Sequence, residues 1–166
     1  MLPAVATAAI AWIHVFGAIG WLGAVMAFGM VVGPNVAKLS PTARLEFFSK
    51  VAPKFLRYAV ILAGTTLLFG VALTIDLYGH LFNPLSNSGI YIMIGAALAL
   101  ITFLIGLLIV EPAAHRIAKM CESLLQNPGP PPPEFAPLQK RFQNLAAVGM
   151  ILLILVLVFM IAAAWT

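Results

Sequence analysis

Charged residues are scarce in this sequence, and their scarcity excludes an ordinary water-soluble domain. Only 8% of the 166 residues are charged and 63% are hydrophobic, whereas soluble domains carry about 25% charged residues. A chain of this size cannot bury so much apolar surface away from water, so its expected solvent is the lipid bilayer. We therefore expect a single transmembrane domain over residues 1–166 and no large domain outside the membrane.

The sequence has a single cysteine and lacks the common catalytic motifs. Cys121 is the only cysteine, so an internal disulfide and the CxxCH attachment of c-type haem are both excluded. The sequence has no phosphate-binding loop, no dinucleotide-binding glycine fingerprint, no HExxH motif and no nucleophile elbow. Catalytic residues, and whether the protein is an enzyme, therefore stay unassigned.

Four long apolar runs are present instead. They cover about residues 4–32, 58–78, 90–110 and 145–165. Each is long enough for a helix to cross a hydrocarbon core of about 30 Å, and none alternates as a membrane strand would. No basic residue precedes the first run, so we interpret it as a retained span rather than a signal peptide. The predicted fold is an all-α, integral membrane four-helix bundle.

The basic residues are confined to two of the connecting segments. All 9 lysines and arginines lie within 33–57 or 111–144, and none lies within 79–89 or at either terminus. Because basic loops stay in the cytoplasm, we expect a multi-pass cell-membrane protein with both termini outside. Basic residues beside spans meet anionic lipid headgroups, so the net charge of +4 does not indicate a nucleic-acid partner.

The first basic segment contains a helix signal. Ser40 followed by Pro41 is typical of an N-cap and a first helical turn. Leu45, Phe48 and Phe55 then recur among basic residues. We expect a short cytoplasmic amphipathic helix between spans 1 and 2, lying on the inner leaflet.

Only two ionisable side chains, His14 and Asp76, fall within the four runs. Counting about eighteen residues from the cytoplasmic end of each span puts His14, Asp76 and Met93 at similar depth near the outer interface. His80 follows Asp76 by one helical turn. Ionisable groups inside a membrane usually mark a functional site, so these four residues are the candidate metal ligands. A purely structural hydrogen bond between His14 and Asp76 is the alternative.

Small residues follow His14 along the first span. Gly17 lies one turn away, and Gly20, Gly23 and Ala24 continue the pattern. Small residues let helices pack closely, which is one interpretation of this face. The other is that Gly17 leaves room for a flat porphyrin beside an iron ligand at His14.

The sequence also resembles a known family. Residues 14–25, HVFGAIGWLGAV, followed by Gly33 and Pro34, resemble the first helix of CopD-like copper-resistance membrane proteins and of the related haem-binding HemJ-type protoporphyrinogen oxidases. The runs that open at Lys54 and at Phe142 are similar to theirs. This resemblance implies a metal or haem anchored by a histidine on the first helix, which here is His14.

Three functions remain open from these residues. The first is a redox protein that binds haem b through His14, with His80 or Met93 as the second axial ligand. The second is copper handling at the outer face, with His14, Asp76, His80 and Met93 as ligands. The third is a cofactor-free accessory subunit of a larger respiratory or oxygenase-type membrane complex. Its partners would be other membrane subunits, or further copies of the chain, packed against the small-residue faces.

Overall fold

The chain forms four long helices in the computed structural model, which describes residues 2–79 and 86–166. They are α1, Ala4–Val36; α2, Pro41–Tyr78; α3, Asn87–Gln126; and α4, Phe135–Ala164. Each is long and apolar enough to cross a membrane, and no strand occurs in the described part of the chain. The predicted all-α four-helix membrane bundle is therefore confirmed.

Large apolar side chains cover the outside of the bundle. Ile19, Leu68, Leu108 and Ile151 are each more than half exposed. Exposed apolar area on this scale is strongly unfavourable in water but neutral against lipid tails. The surface therefore fits a multi-pass membrane protein in contact with the bilayer.

The helices pack as two pairs, α1 with α2 and α3 with α4. A core in the middle of the bundle joins the pairs, and it consists of Trp21, Ala59, Ala63, Ala99 and Leu153. Three of these five residues are alanines, because small side chains let membrane helices approach closely. With four helices, both termini lie at one end of the bundle, which we call the terminal end. The opposite end carries the basic residues and is called the basic end.

A second core closes the basic end. Ile117 and Cys121 are its most buried side chains, at 2% and 0% exposure, and Phe142 packs with them. Ile117 and Cys121 belong to the part of α3 beyond the apolar run. That part continues as a helix to Gln126.

The helix expected between spans 1 and 2 is present. It begins at Pro41, and the Ser40 hydroxyl caps it by accepting a hydrogen bond from the backbone N–H of Ala43. It runs directly into α2, however, and Leu45 and Phe48 pack against the second core. Because the extended α3 supplies an apolar partner at this level, these two side chains contact protein where the sequence suggested lipid.

Three of the helices contain one wide, π-helical turn each. These turns are Ala27–Val32, Phe47–Val51 and Gly106–Val110. Each ends two residues before a proline, respectively Pro34, Pro53 and Pro112. Proline has no N–H, and its ring collides with the carbonyl four residues earlier. A wide turn absorbs that conflict, so the helix continues past the proline.

Candidate functional site

His14 lies where α1 crosses α2, with its ring half-buried. Its Nδ1 atom is 2.8 Å from the backbone carbonyl oxygen of Thr66. A carbonyl oxygen can only accept, so Nδ1 must carry the hydrogen and donate it. In the neutral imidazole, Nε2 then keeps its lone pair. The ring is thus held in the tautomer that can bind a metal through Nε2.

Gly70 provides the space that the ring occupies. A Cβ atom at this position would lie 2.8 Å from Cε1 and 2.9 Å from Nδ1 of His14, so no side chain fits there without moving the ring. The Thr66 carbonyl has two lone pairs and can accept from His14 as well as from the helix backbone. Together, Gly70 and the Thr66 carbonyl fix the position and orientation of the imidazole.

Gly17 lies against α2 and leaves no gap between the two helices at this position. A Cβ atom there would lie 2.7 Å from Oγ1 of Thr66 and 3.4 Å from its backbone nitrogen. The Thr66 hydroxyl donates to the carbonyl of Leu62 at 2.8 Å, which holds it in place. Thr66 therefore lies directly against Gly17, as expected for close packing of α1 on α2. The role of Gly17 beside a cofactor stays a prediction.

Asp76 interacts with the first residues of the chain. Its carboxylate accepts hydrogen bonds from the backbone N–H of Leu2 and from the hydroxyl of Thr7, the latter at 2.5 Å. Thr7 precedes His14 by seven residues, which is about 10 Å along a helix. The structural hydrogen bond offered as an alternative, between His14 and Asp76, is therefore wrong. Asp76 instead fastens the start of α1 to the end of α2.

The physical reason for this error lies in the helix ends. The depth count assumed that span 1 ends at Val32 and that span 2 begins at Tyr58. In the structure α1 continues to Val36 and α2 begins at Pro41. The two assumed ends are therefore not at the same depth, and His14 is level with Thr66 and Gly70.

The described contacts do not place the other two candidate ligands, Met93 and His80, beside His14. Met93 lies half-buried on α3, which packs mainly against α4. A Cβ atom at Gly64 would lie 3.8 Å from the Phe103 ring. Gly64 of α2 and Phe103 of α3 are therefore at about the same level. On that alignment, Met93 lies about one to two helical turns nearer the terminal end than His14.

His80 belongs to residues 80–85, which lie outside the described residues, so its role as a ligand stays a prediction. Within residues 2–79 and 86–166, no group of three or more His, Cys, Asp or Glu side chains is arranged to hold a metal ion. A site built on the described residues would therefore rest on His14 as its single histidine ligand.

A cavity of about 430 Å³ lies between the two helix pairs, towards the basic end. All four helices contribute to its wall, which includes the aromatic side chains of Trp21, Phe28, Phe103 and Phe142. This cavity was not predicted from the sequence. A signal for it exists in the repeated pattern Val-x-Pro, which begins at Val32, Val51 and Val110 and marks the end of each wide turn.

No protein-family model, no curated protein sequence and no solved structure matches this chain.

Proposed function

We propose that this protein is a membrane redox protein that binds haem b, with Nε2 of His14 as an axial ligand. The observation that carries the proposal is the 2.8 Å hydrogen bond from Nδ1 of His14 to the Thr66 carbonyl oxygen. A ligating histidine almost always donates its other ring N–H to a backbone carbonyl or carboxylate, which fixes its tautomer and raises its basicity. His14 meets this requirement.

The surroundings of His14 fit a haem ligand better than they fit a complete copper site. Copper would need several soft or nitrogen ligands together, and both carboxylate oxygens of Asp76 already accept hydrogen bonds elsewhere. A haem needs only one or two axial ligands from the protein. The bound haem would supply one-electron transfer, and the chain would tune its potential through the ligand and its burial. His80 and Met93 are the proposed second ligands.

One observation favours a second candidate function, a cofactor-free subunit. The hydrogen bond to Thr66 and the fit against Gly70 would also join α1 to α2 without any metal. In that case His14 is a packing residue, and the lipid-facing apolar surface would meet partner subunits or further copies of the chain.

The visible spectrum and metal content of the protein, purified in a mild detergent, distinguish these functions. We expect a Soret band and iron in a fixed ratio to protein. Copper without a Soret band would contradict haem binding and support copper handling. Neither metal, in protein that is folded and monodisperse, would contradict both and support the subunit function.

The orientation of the bundle is a further part of the proposal, with the basic end in the cytoplasm and the terminal end outside. All 9 lysines and arginines lie in the two segments at the basic end, and such segments are retained in the cytoplasm. In a Cys121→Ala background, Asn87→Cys and Ser123→Cys place an exposed thiol at opposite ends. We expect an impermeant maleimide to label only Asn87→Cys in intact cells. Labelling of Ser123→Cys alone would invert the orientation.

A further inference from the structure

The cavity between the helix pairs is separate from the His14 site. Trp21, which lines it, follows His14 by seven residues on α1, or about 10 Å along the helix axis. Its volume of about 430 Å³ is within the range of about 300–1,000 Å³ that is typical of small-molecule sites. Well-packed interiors contain few voids larger than a water molecule. This space is partly open to the outside of the bundle, so a ligand can enter it.

All three wide turns meet at this cavity. Phe28 and Gly29 line it from the turn in α1, Phe48 from the turn in α2, and Gly106 and Val110 from the turn in α3. Single π-helical turns are frequently found at functional sites. Three of them surround this one space and come from three different helices, so the widening that each proline causes falls at the cavity wall.

The chemistry of the wall indicates the class of ligand. Most of the lining is apolar and aromatic, and the hydroxyl of Thr102, part of the wall, already donates to the carbonyl of Leu98. Glu111, Gln139 and Gln143 are the lining residues with a carboxylate or an amide. No lysine or arginine is among the described lining residues, so an anionic headgroup would meet a carboxylate and no cation. A neutral head with hydrogen-bonding oxygens fits this end.

We propose that the cavity binds a lipid-soluble quinone, with its ring oxygens near Glu111 and Gln139 and its apolar tail against Trp21 and Phe103. A glutamine amide can donate to a quinone carbonyl, and a carboxylate can accept from the hydroxyl of the reduced form. The ligand would reach the cavity from the bilayer. This inference concerns binding only, and it does not depend on haem at His14.

Trp21 provides a direct measurement of occupancy, since its indole is buried in the cavity wall at 6% exposure. The full chain, with Trp12→Phe and Trp165→Phe, is placed in lipid nanodiscs and titrated with decylbenzoquinone. Quinones quench indole fluorescence on contact. We expect saturable quenching of Trp21. A companion protein that keeps only Trp12, which is 61% exposed, should show the linear quenching caused by quinone dissolved in the lipid.

Two glycines offer a matched pair of blocking variants. A Cβ atom at Gly106 or at Gly23 would meet nothing within 4 Å, so both positions accept a larger side chain. Gly106 lies one turn from Thr102 and one turn from Val110, which are buried and line the cavity, whereas Gly23 is not among the lining residues. Gly106→Leu should reduce quinone affinity about tenfold or more. Gly23→Leu should leave it unchanged.

The headgroup is tested separately. Gln139→Leu removes an amide donor and should weaken binding about two- to tenfold. A decyl alcohol should displace the quinone poorly. Linear quenching of Trp21, or equal affinity in Gly106→Leu and the parent, would overturn the site. Full recovery of Trp21 fluorescence on adding decyl alcohol at the same concentration as the quinone would overturn the assignment to quinones. A missing Soret band would leave these results intact, because they are read from Trp21.

Discussion

Replacing His14 by alanine is expected to reduce the haem content of the purified protein to background. The substitution removes Nε2, the proposed iron ligand, together with the hydrogen bond from Nδ1 to the Thr66 carbonyl. Loss of that single half-buried hydrogen bond should cost only about 1 kcal/mol of stability. The bundle should therefore remain folded and inserted. The Soret absorbance per mole of protein, measured beside the helical circular dichroism signal, checks both expectations.

The control for this prediction is His115→Ala. His115 makes the same kind of contact, from ring Nδ1 to the carbonyl oxygen of Glu111 at 3.0 Å, but it is exposed at the basic end. Its removal should leave the Soret band unchanged. An unaltered spectrum in His14→Ala would show that the iron is held elsewhere, and His14 would then be a packing residue.

A second pair of variants tests the orientation of the ring without removing it. In Gly70→Ala, the new Cβ would lie 2.8 Å from Cε1 of His14, so the ring must move. We expect a shifted Soret band or weaker haem retention. Gly64→Ala, on the same helix, brings its Cβ only to 3.8 Å from Phe103, an ordinary contact, and should behave like the parent. If the spectra of Gly70→Ala and Gly64→Ala were both identical to that of the parent, the position of the His14 ring would have no role in haem binding.

Gly17→Ala is expected to cause the largest loss of stability among the single-methyl changes. Its Cβ would lie 2.7 Å from Oγ1 of Thr66, and that oxygen is held by its own hydrogen bond to Leu62. Threonine is stiff at χ1, so the helices must separate or the hydroxyl must give up its partner. Overpacking of this kind typically costs about 1–3 kcal/mol. Reversible unfolding in mixed micelles measures the change.

Gly23→Ala is the matched control on the same helix. Its added Cβ meets nothing within 4 Å, so its stability should equal that of the parent or rise slightly, because alanine favours helix more than glycine does. Adding Thr66→Ala to Gly17→Ala removes the clashing hydroxyl and should restore much of the loss. Equal stability of Gly17→Ala and Gly23→Ala would mean that α1 and α2 are not in close contact at this level.

The candidate site was predicted only in part from the sequence. His14 was identified because a histidine inside an apolar run is costly and conspicuous. Its true neighbours could not be identified, because a backbone carbonyl at Thr66 and the missing side chain of Gly70 have no distinctive chemistry in the sequence. Asp76 was equally conspicuous, yet its partners are Leu2 and Thr7. Polarity reveals which residues need a partner, and packing decides which partner they meet.

Features that depend on local chemistry could be predicted from the sequence alone. The four spans follow from runs of about twenty apolar residues, and the start of the helix at Pro41 follows from the Ser40 cap. The folded protein alone shows the relative depth of the helices, their packing in two pairs and the cavity between those pairs. These features depend on where each helix ends, on wide turns before three prolines and on close contacts at single glycines, so they arise only when residues distant in sequence pack together.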